Sequence, residues 1–281
     1  MTDVTVDESV PSTHSSVSLR QQDLGSALST TRGLGFASID LVGLRGLCEH
    51  VPVNGTRADL RAAARTVLRS GLRASSVNAD PGSFDGHDDP DEVRRRIDQL
   101  LGFVVDAGVP LLVLPCGEKT ARPGDLPETA RMAEEINRVA ETASRRGVRV
   151  AIEAPYFGRP VNDLARTDAL CAALDPAVGL AFDVSHIEAA DESVVAAWDA
   201  LRERVAIVHL RDAASGDIRR VIGAGRVDFG ALFGRIDASA FDGDVVLELE
   251  TRDGPYATKH DEVRAAVAHL TAICEKQEIA S

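Results

Sequence analysis

Four side chains, set 30, 26 and 39 residues apart, define the chemistry this chain could do: Glu153, Asp183, His209 and Glu248. Each stands in or at the end of a short apolar run, VRVAIE (148–153), VGLAFD (178–183), VAIVHL (205–210) and DVVLELE (244–250). Gaps of that size fit one strand–helix unit each. Consecutive strands would then present the four groups side by side at one rim. Alternation along the strands agrees with this. Gly179, Ala181 and Asp183 share a face, as do Val205, Ile207 and His209, and Glu248 opposes Leu247 and Leu249. Three carboxylates and an imidazole converging on one point repel unless positive charge is supplied, and a divalent cation supplies it. Mixed oxygen and nitrogen donors suit Mn2+ foremost, with Co2+, Mg2+ or Zn2+ as alternatives. The lack of thiolates in the set argues against a structural zinc.

Each residue has a plainer reading as well. Asp183 could cap the segment after it. His209 could be a hydrogen-bonded core histidine. Glu250 shares a face with Glu248 and replaces it as a ligand if the register slips by two. Four such residues on four consecutive strands is a coincidence that independent caps do not produce easily.

The elements that would carry them alternate along the chain. FASIDLV (36–42), Gly71 to Val77, and the LLVL run behind Pro110 read as earlier strands. Ile97, Leu100, Leu101, Val104 and Val105 form a helical stripe, and a helix from Pro127 to Arg146 stops at Gly147. Further helices run through Leu24 and Leu28, through Val194, Trp198 and Leu201, through Leu232 and Ile236, and through Val263, Val267 and Leu270. Counting Val4 to Val6 as the first strand gives eight strand–helix units of about 35 residues. Apolar strands alternating with helices mean a parallel sheet covered by helices, and eight units close into a single (β/α)8 TIM barrel over residues 1–281. A doubly wound sheet would carry a glycine-rich phosphate turn after its first strand, and none is present. Gly223 to Gly225 is read as a loop, and residues 8–18, rich in Ser, Thr and Pro, likewise.

Composition narrows the partners. There are 31 basic against 44 acidic side chains, a net charge of −13, which argues against a nucleic-acid partner. No run of 18 apolar residues is available to span a membrane. The first 20 residues carry no basic and apolar leader pattern, and Cys48, Cys116, Cys171 and Cys274 form no C-x-x-C pair, so a cytoplasmic chain with reduced thiols is expected.

The same residues carry a resemblance. GFASIDL (35–41), VRVAIE, FDVSH (182–186), HLRD (209–212), IGAGRVDF (222–229) and VVLELE (245–250) resemble the xylose-isomerase-like barrels, the sugar phosphate isomerase/epimerase superfamily that includes endonuclease IV. The resemblance implies a metal held by Glu153, Asp183, His209 and Glu248. It implies substrate contacts from His186 and Arg211, although His186 also reads as a loop imidazole and Arg211 as a rim salt-bridge partner. Tyr156 and Phe157 are the plausible pocket aromatics. The chain departs from endonuclease IV, which needs further histidines where Asn78 and Cys116 stand here. Aromatic content is 4%, low for a ketose epimerase pocket. The short first strand with DES (7–9) and the run ELETRDGPY after strand eight resemble inosose isomerase. Dimers or tetramers are implied by resemblance alone.

The site as read supports proton transfer next to a carbonyl in a small polyol or sugar-like substrate, with Glu153 and Glu248 removing and returning the proton. The expectation is a metal-dependent sugar isomerase or epimerase. The alternatives are a dehydratase of the 3-dehydroshikimate type and a binding barrel without turnover.

Overall fold

The computed structural model describes residues 11–84, 88–117, 129–250 and 254–280, with side chains to Lys276. Eight parallel strands close on themselves: β1 (Thr13–Ser15), β2 (Ser38–Leu44), β3 (Arg73–Ala79), β4 (Leu111–Pro115), β5 (Arg149–Glu153), β6 (Gly179–Asp183), β7 (Val205–Leu210) and β8 (Asp244–Leu247). Each pairs with its sequence neighbour, and β1 closes the ring by pairing with both β2 and β8. This is a (β/α)8 barrel, as the alternation predicts.

Nine helices lie among the described residues: α1 (Leu24–Gly33), α2 (Arg57–Ser70), α3 (Pro90–Ala107), α4 (Thr129–Ser144), α5 (Leu164–Ala173), the short α6 (Val184–Ala189), α7 (Val194–Leu201), α8 (Phe229–Ala238) and α9 (Lys259–Ala280). Local chemistry fixes their ends. Thr56 and Asp59 form a reciprocal capping box on α2, and Asp89 caps α3 ahead of Pro90. Gly71 and Gly108 end these two helices at φ 76° and 69°, a left-handed conformation costly for residues with a Cβ.

The strand faces separate two cores. Ile152, Leu180, Phe182, Val208, Leu210, Leu247 and Leu249 join the large cluster between sheet and helices. Leu111, Val113, Ala151, Ala181, Ile207 and Val246 form a second cluster inside the barrel. Trp198 of α7 belongs to the outer layer, edge-on to Phe182 and Phe241.

Two readings are corrected. The segment 8–18 holds β1, where a loop is expected. β1 is three residues long and polar, so it has no apolar periodicity. Thr13 and Ser15 turn into the barrel and are satisfied there by Ser38, Asp244 and Asp40 instead of by packing. The strand expected at Val4 to Val6 lies outside the described residues. Strand eight ends at Leu247, not Glu250, although the Glu248 N–H still donates to the Leu210 carbonyl and keeps the register for one more residue. The periodicity also leaves out α2, α5 and an antiparallel hairpin, Asp212–Ala214 with Asp217–Arg220, that follows β7.

Candidate metal centre

Four strand ends bring the predicted side chains together. Glu153 closes β5, Asp183 closes β6, His209 is the fifth residue of β7, and Glu248 follows β8. Asp183 and His209 are register partners, and the next strand places Val246 beside His209. With a period of two, Glu248 then shares the inner face with them. All four are buried.

His209 Nδ1 is 2.9 Å from Glu248 Oε2 and 3.9 Å from Glu153 Oε1. The 2.9 Å approach is not aligned as a hydrogen bond. The His209 ring nitrogens and this Glu248 oxygen are thus buried without a protein partner. That donor set fits a divalent cation, with Glu153, Asp183, His209 and Glu248 as the residues that would hold it.

Asp183 serves two ends. Its Oδ1 caps α6 by accepting from the Ser185 N–H at 2.8 Å and hydroxyl at 2.7 Å. The plain capping role is real, and it leaves Oδ2 facing the site, where it meets Arg211. Arg211 is buried and also approaches Glu248 at 3.5 Å and Glu250 at 3.3 Å. Glu250 thus faces the guanidinium.

His186, the first-turn residue of α6, is fully buried and not an exposed loop imidazole. Its Nδ1 lies 3.2 Å from the Phe157 N–H and its Nε2 faces the Arg211 guanidinium, two donors of which a neutral imidazole accepts only one. Nε2 also faces Glu153 and Asp183 at 3.7 Å each, with Arg211 Nη2 at 3.0 Å. Tyr156 stacks on His186 with ring centroids 3.8 Å apart.

The charges push one another. Burial raises the Glu153 carboxyl above the usual range, and Asp183 and Glu248 add to this. Burial would also raise Asp183, but Arg211, His186 and His209 outweigh it and hold that carboxyl low. Glu248 is likewise held low by Arg211 and His209 against its burial. Burial works against a charged His209, yet Glu248 and Glu153 lift it well above an ordinary histidine. Burial drives His186 down to about 3 and raises the Tyr156 hydroxyl.

A family model described as xylose isomerase-like TIM barrel matches residues 28–273. The chain belongs to this family. An inosose dehydratase of Lactiplantibacillus plantarum is 29% identical to it over 134 residues. That match covers 41% of this chain and 44% of the relative, so the chain matches under half of that relative's length. An L-ribulose 3-epimerase structure superposes with a TM-score of 0.75 at 19% identity, covering 96% of this chain and 97% of the other. A D-psicose 3-epimerase with D-tagatose, from Clostridium cellulolyticum, gives 0.75 at 16%, covering 93% and 98%. At those identities the likeness is one of fold.

Two site neighbours escape the sequence reading. Asp40 of β2 is fully buried inside the barrel, and burial pushes its carboxyl up to about 7. Arg159 lies over the Tyr156 ring at 4.6 Å, donates to the Gly117 carbonyl, and comes within 3.6 Å of Asp80. Asp40 is visible only as an inward position of SIDLVG, and GRPVND carries no signal for Arg159. Asn78 and Cys116 are buried at the ends of β3 and β4. Burial raises the Cys116 thiol to about 12, and its Sγ contacts the Val161 carbonyl, so it is inert as a nucleophile. A separate groove between α3 and α4, lined by Phe84, Val93, Ile97 and Leu101 among others, shares none of these side chains.

Proposed function

We propose that this chain is a divalent-metal-dependent isomerase or epimerase of a small polyhydroxy carbonyl compound: a sugar, a sugar phosphate or an inosose. One observation carries the reading: Glu153 and Asp183 cluster with His186, and His209 and Glu248 with Asp40, in two adjoining buried groups joined by His209 Nδ1, with the His209 ring nitrogens and a Glu248 oxygen left unpartnered. A Mn2+ ion held there would polarise a substrate carbonyl and stabilise the enediolate charge next to it.

The rest falls to the protein. Glu153 is pushed up and Glu248 is held down, and that split suits a proton donor and a proton acceptor working as a pair. Glu248 removes the proton from the carbon beside the carbonyl, and Glu153 returns one. The roles reverse for the reverse reaction. His186 offers its ring, and Arg211 its guanidinium, to substrate oxygens. Tyr156 and Phe157 wall the mouth, and Tyr156 keeps the His186 ring in place by stacking.

The test is solvent exchange. Ketohexoses and inososes incubated in D2O with the Mn2+-loaded protein should take up deuterium at the carbon beside the carbonyl, read by proton NMR. Net conversion should be lost in Glu153→Gln. No exchange into any polyhydroxy ketone would contradict the reading. The match to an inosose dehydratase favours one second reading, loss of water from the same enediolate. In that case an unsaturated, UV-absorbing product accumulates.

A further inference from the structure

One buried carboxylate has no part in the cation site above. Asp40 sits on the inner face of β2 and is fully buried. Ser15 of β1 donates its hydroxyl to Asp40 Oδ2 at 2.8 Å, and Ser76 of β3 donates to Oδ1 at 2.6 Å. Two strands thus clamp it, and each oxygen keeps lone-pair capacity beyond the hydroxyl it accepts.

The register carries Asp40 to the far side of the cation site. Ser15 is the partner of Asp40, and Thr13 and His14 pair with Val246 and Leu247, so Ser15 and Asp40 lie level with Glu248. An Asp40 oxygen, a His209 ring nitrogen and a Glu248 oxygen fall within 4.8 Å of one another. His209 turns Nδ1 toward Glu153 and Glu248. Its Nε2 is buried and has no hydrogen-bond partner. An imidazole that binds a cation through one nitrogen ordinarily donates its other N–H to a carboxylate or carbonyl, which fixes tautomer and ring orientation.

We propose that Asp40 is the positioning residue for His209, accepting its Nε2–H so that the Nδ1 lone pair faces Glu153, Asp183 and Glu248. This rests on the metal reading above. A small turn of the imidazole, or one bridging water, closes the remaining gap. The inference also accounts for the polar character of β1. The strand that closes the barrel supplies the hydroxyl of Ser15, which aims Asp40 across the lumen at β7.

The experiment compares wild type, Asp40→Asn and Asp183→Asn after chelation. Mn2+ binding is followed by calorimetry, and the His209 tautomer by nitrogen-15 NMR of the metal-free proteins at a pH high enough to leave the ring neutral. Asp40→Asn keeps the size of the side chain; its amide oxygen still accepts one serine hydroxyl, and its amide nitrogen donates to the other. It should still bind one Mn2+ per chain, but roughly 10–100-fold more weakly, the usual effect of losing such a partner. Wild type should show the Nε2–H tautomer, and Asp40→Asn a mixture. A merely structural role would lower thermal stability and leave both readouts alone. Unchanged affinity and tautomer in folded Asp40→Asn would overturn the inference while the metal reading stands. No Mn2+ uptake by wild type would overturn that reading as well. If Asp40→Asn does not fold, the Ser15→Ala/Ser76→Ala double variant takes its place. It retains the carboxylate but frees it, so affinity should fall several-fold, and an unchanged value would again count against the role.

Discussion

Arg211 is a buried cation balancing buried carboxylates, and its removal separates compensation from catalysis. Its guanidinium touches Asp183, Glu248 and Glu250. Arg211→Gln strands these carboxylates in the protein interior, where losing one partner of a buried pair costs about 3–5 kcal/mol. The chelated variant should therefore melt well below chelated wild type, and saturating Mn2+ should recover most of the difference, both read by calorimetry. Equal melting temperatures would mean that the carboxylates are hydrated or protonated. Glu153→Gln makes the opposite distinction. It keeps size and fold but loses the titratable proton, so turnover should fall about 10²–10⁴-fold with little change in melting temperature. At this scale the sequence was legible where side chains sit at the ends of strands. Glu153, Asp183, His209 and Glu248 reveal themselves by spacing, whereas Asp40 sits mid-strand and Arg159 in a loop. A position inside a barrel lumen is a tertiary fact, and no local pattern marks it.

Among the elements, β1 and the loop after β7 carry the most information per residue. His14 of β1 points outward, stacked on Phe36 with centroids 4.9 Å apart, and its Nδ1 lies 3.1 Å from the Thr31 hydroxyl of α1. Burial lowers its pKa from 6.5 to about 3, so the folded state keeps it neutral while the unfolded chain takes up a proton. The unfolded state then binds more protons between pH 3 and 6.5, and stability falls as the pH drops through that window, by about 1.4 kcal/mol per unit for one group. Wild type should lose that much more than His14→Gln between pH 6.5 and 5 in chemical denaturation; parallel pH profiles would contradict the assignment. Beyond β7, Asp212 accepts backbone N–H groups of Ala213, Gly223, Gly225 and Val227. A Cβ at Gly225 would fall 2.1 Å from the Asp212 carboxylate, which explains the glycine there. Asp212→Ala leaves several donors unmet at about 1–3 kcal/mol each where they stay buried, so a drop of several kcal/mol is expected on denaturant unfolding. Most of the other strands announce themselves by apolar, β-branched runs and turn residues. β1 does not, because three polar residues satisfied by hydroxyl–carboxylate contacts leave no hydrophobic period to read. The GAG loop was legible as a loop, but its Asp212 anchor lies on a different segment.

For the whole molecule, the net charge of −13 acquires a partial explanation, since Asp40, Glu153, Asp183 and Glu248 are buried together at one end of the barrel and Glu250 reaches the Arg211 beside them. Eight parallel strands give that barrel a rigid wall, so carboxylates are held together that would separate on a flexible surface. Their repulsion is stored in the fold, and any cation that binds the folded state alone returns it as stability, about 2.7 kcal/mol at a free concentration of 100 times Kd. No helix among the described residues is long and apolar enough to cross a membrane. The measurement closest to the central claim is calorimetric titration of Mn2+ into chelator-treated protein, wild type against Asp183→Asn. Wild type should bind one ion per chain and melt at a higher temperature when loaded, and Asp183→Asn should bind at least 100-fold more weakly, on the order of 3 kcal/mol for the loss of one charged ligand. Absence of uptake by wild type, or equal uptake by the two proteins, would contradict the account.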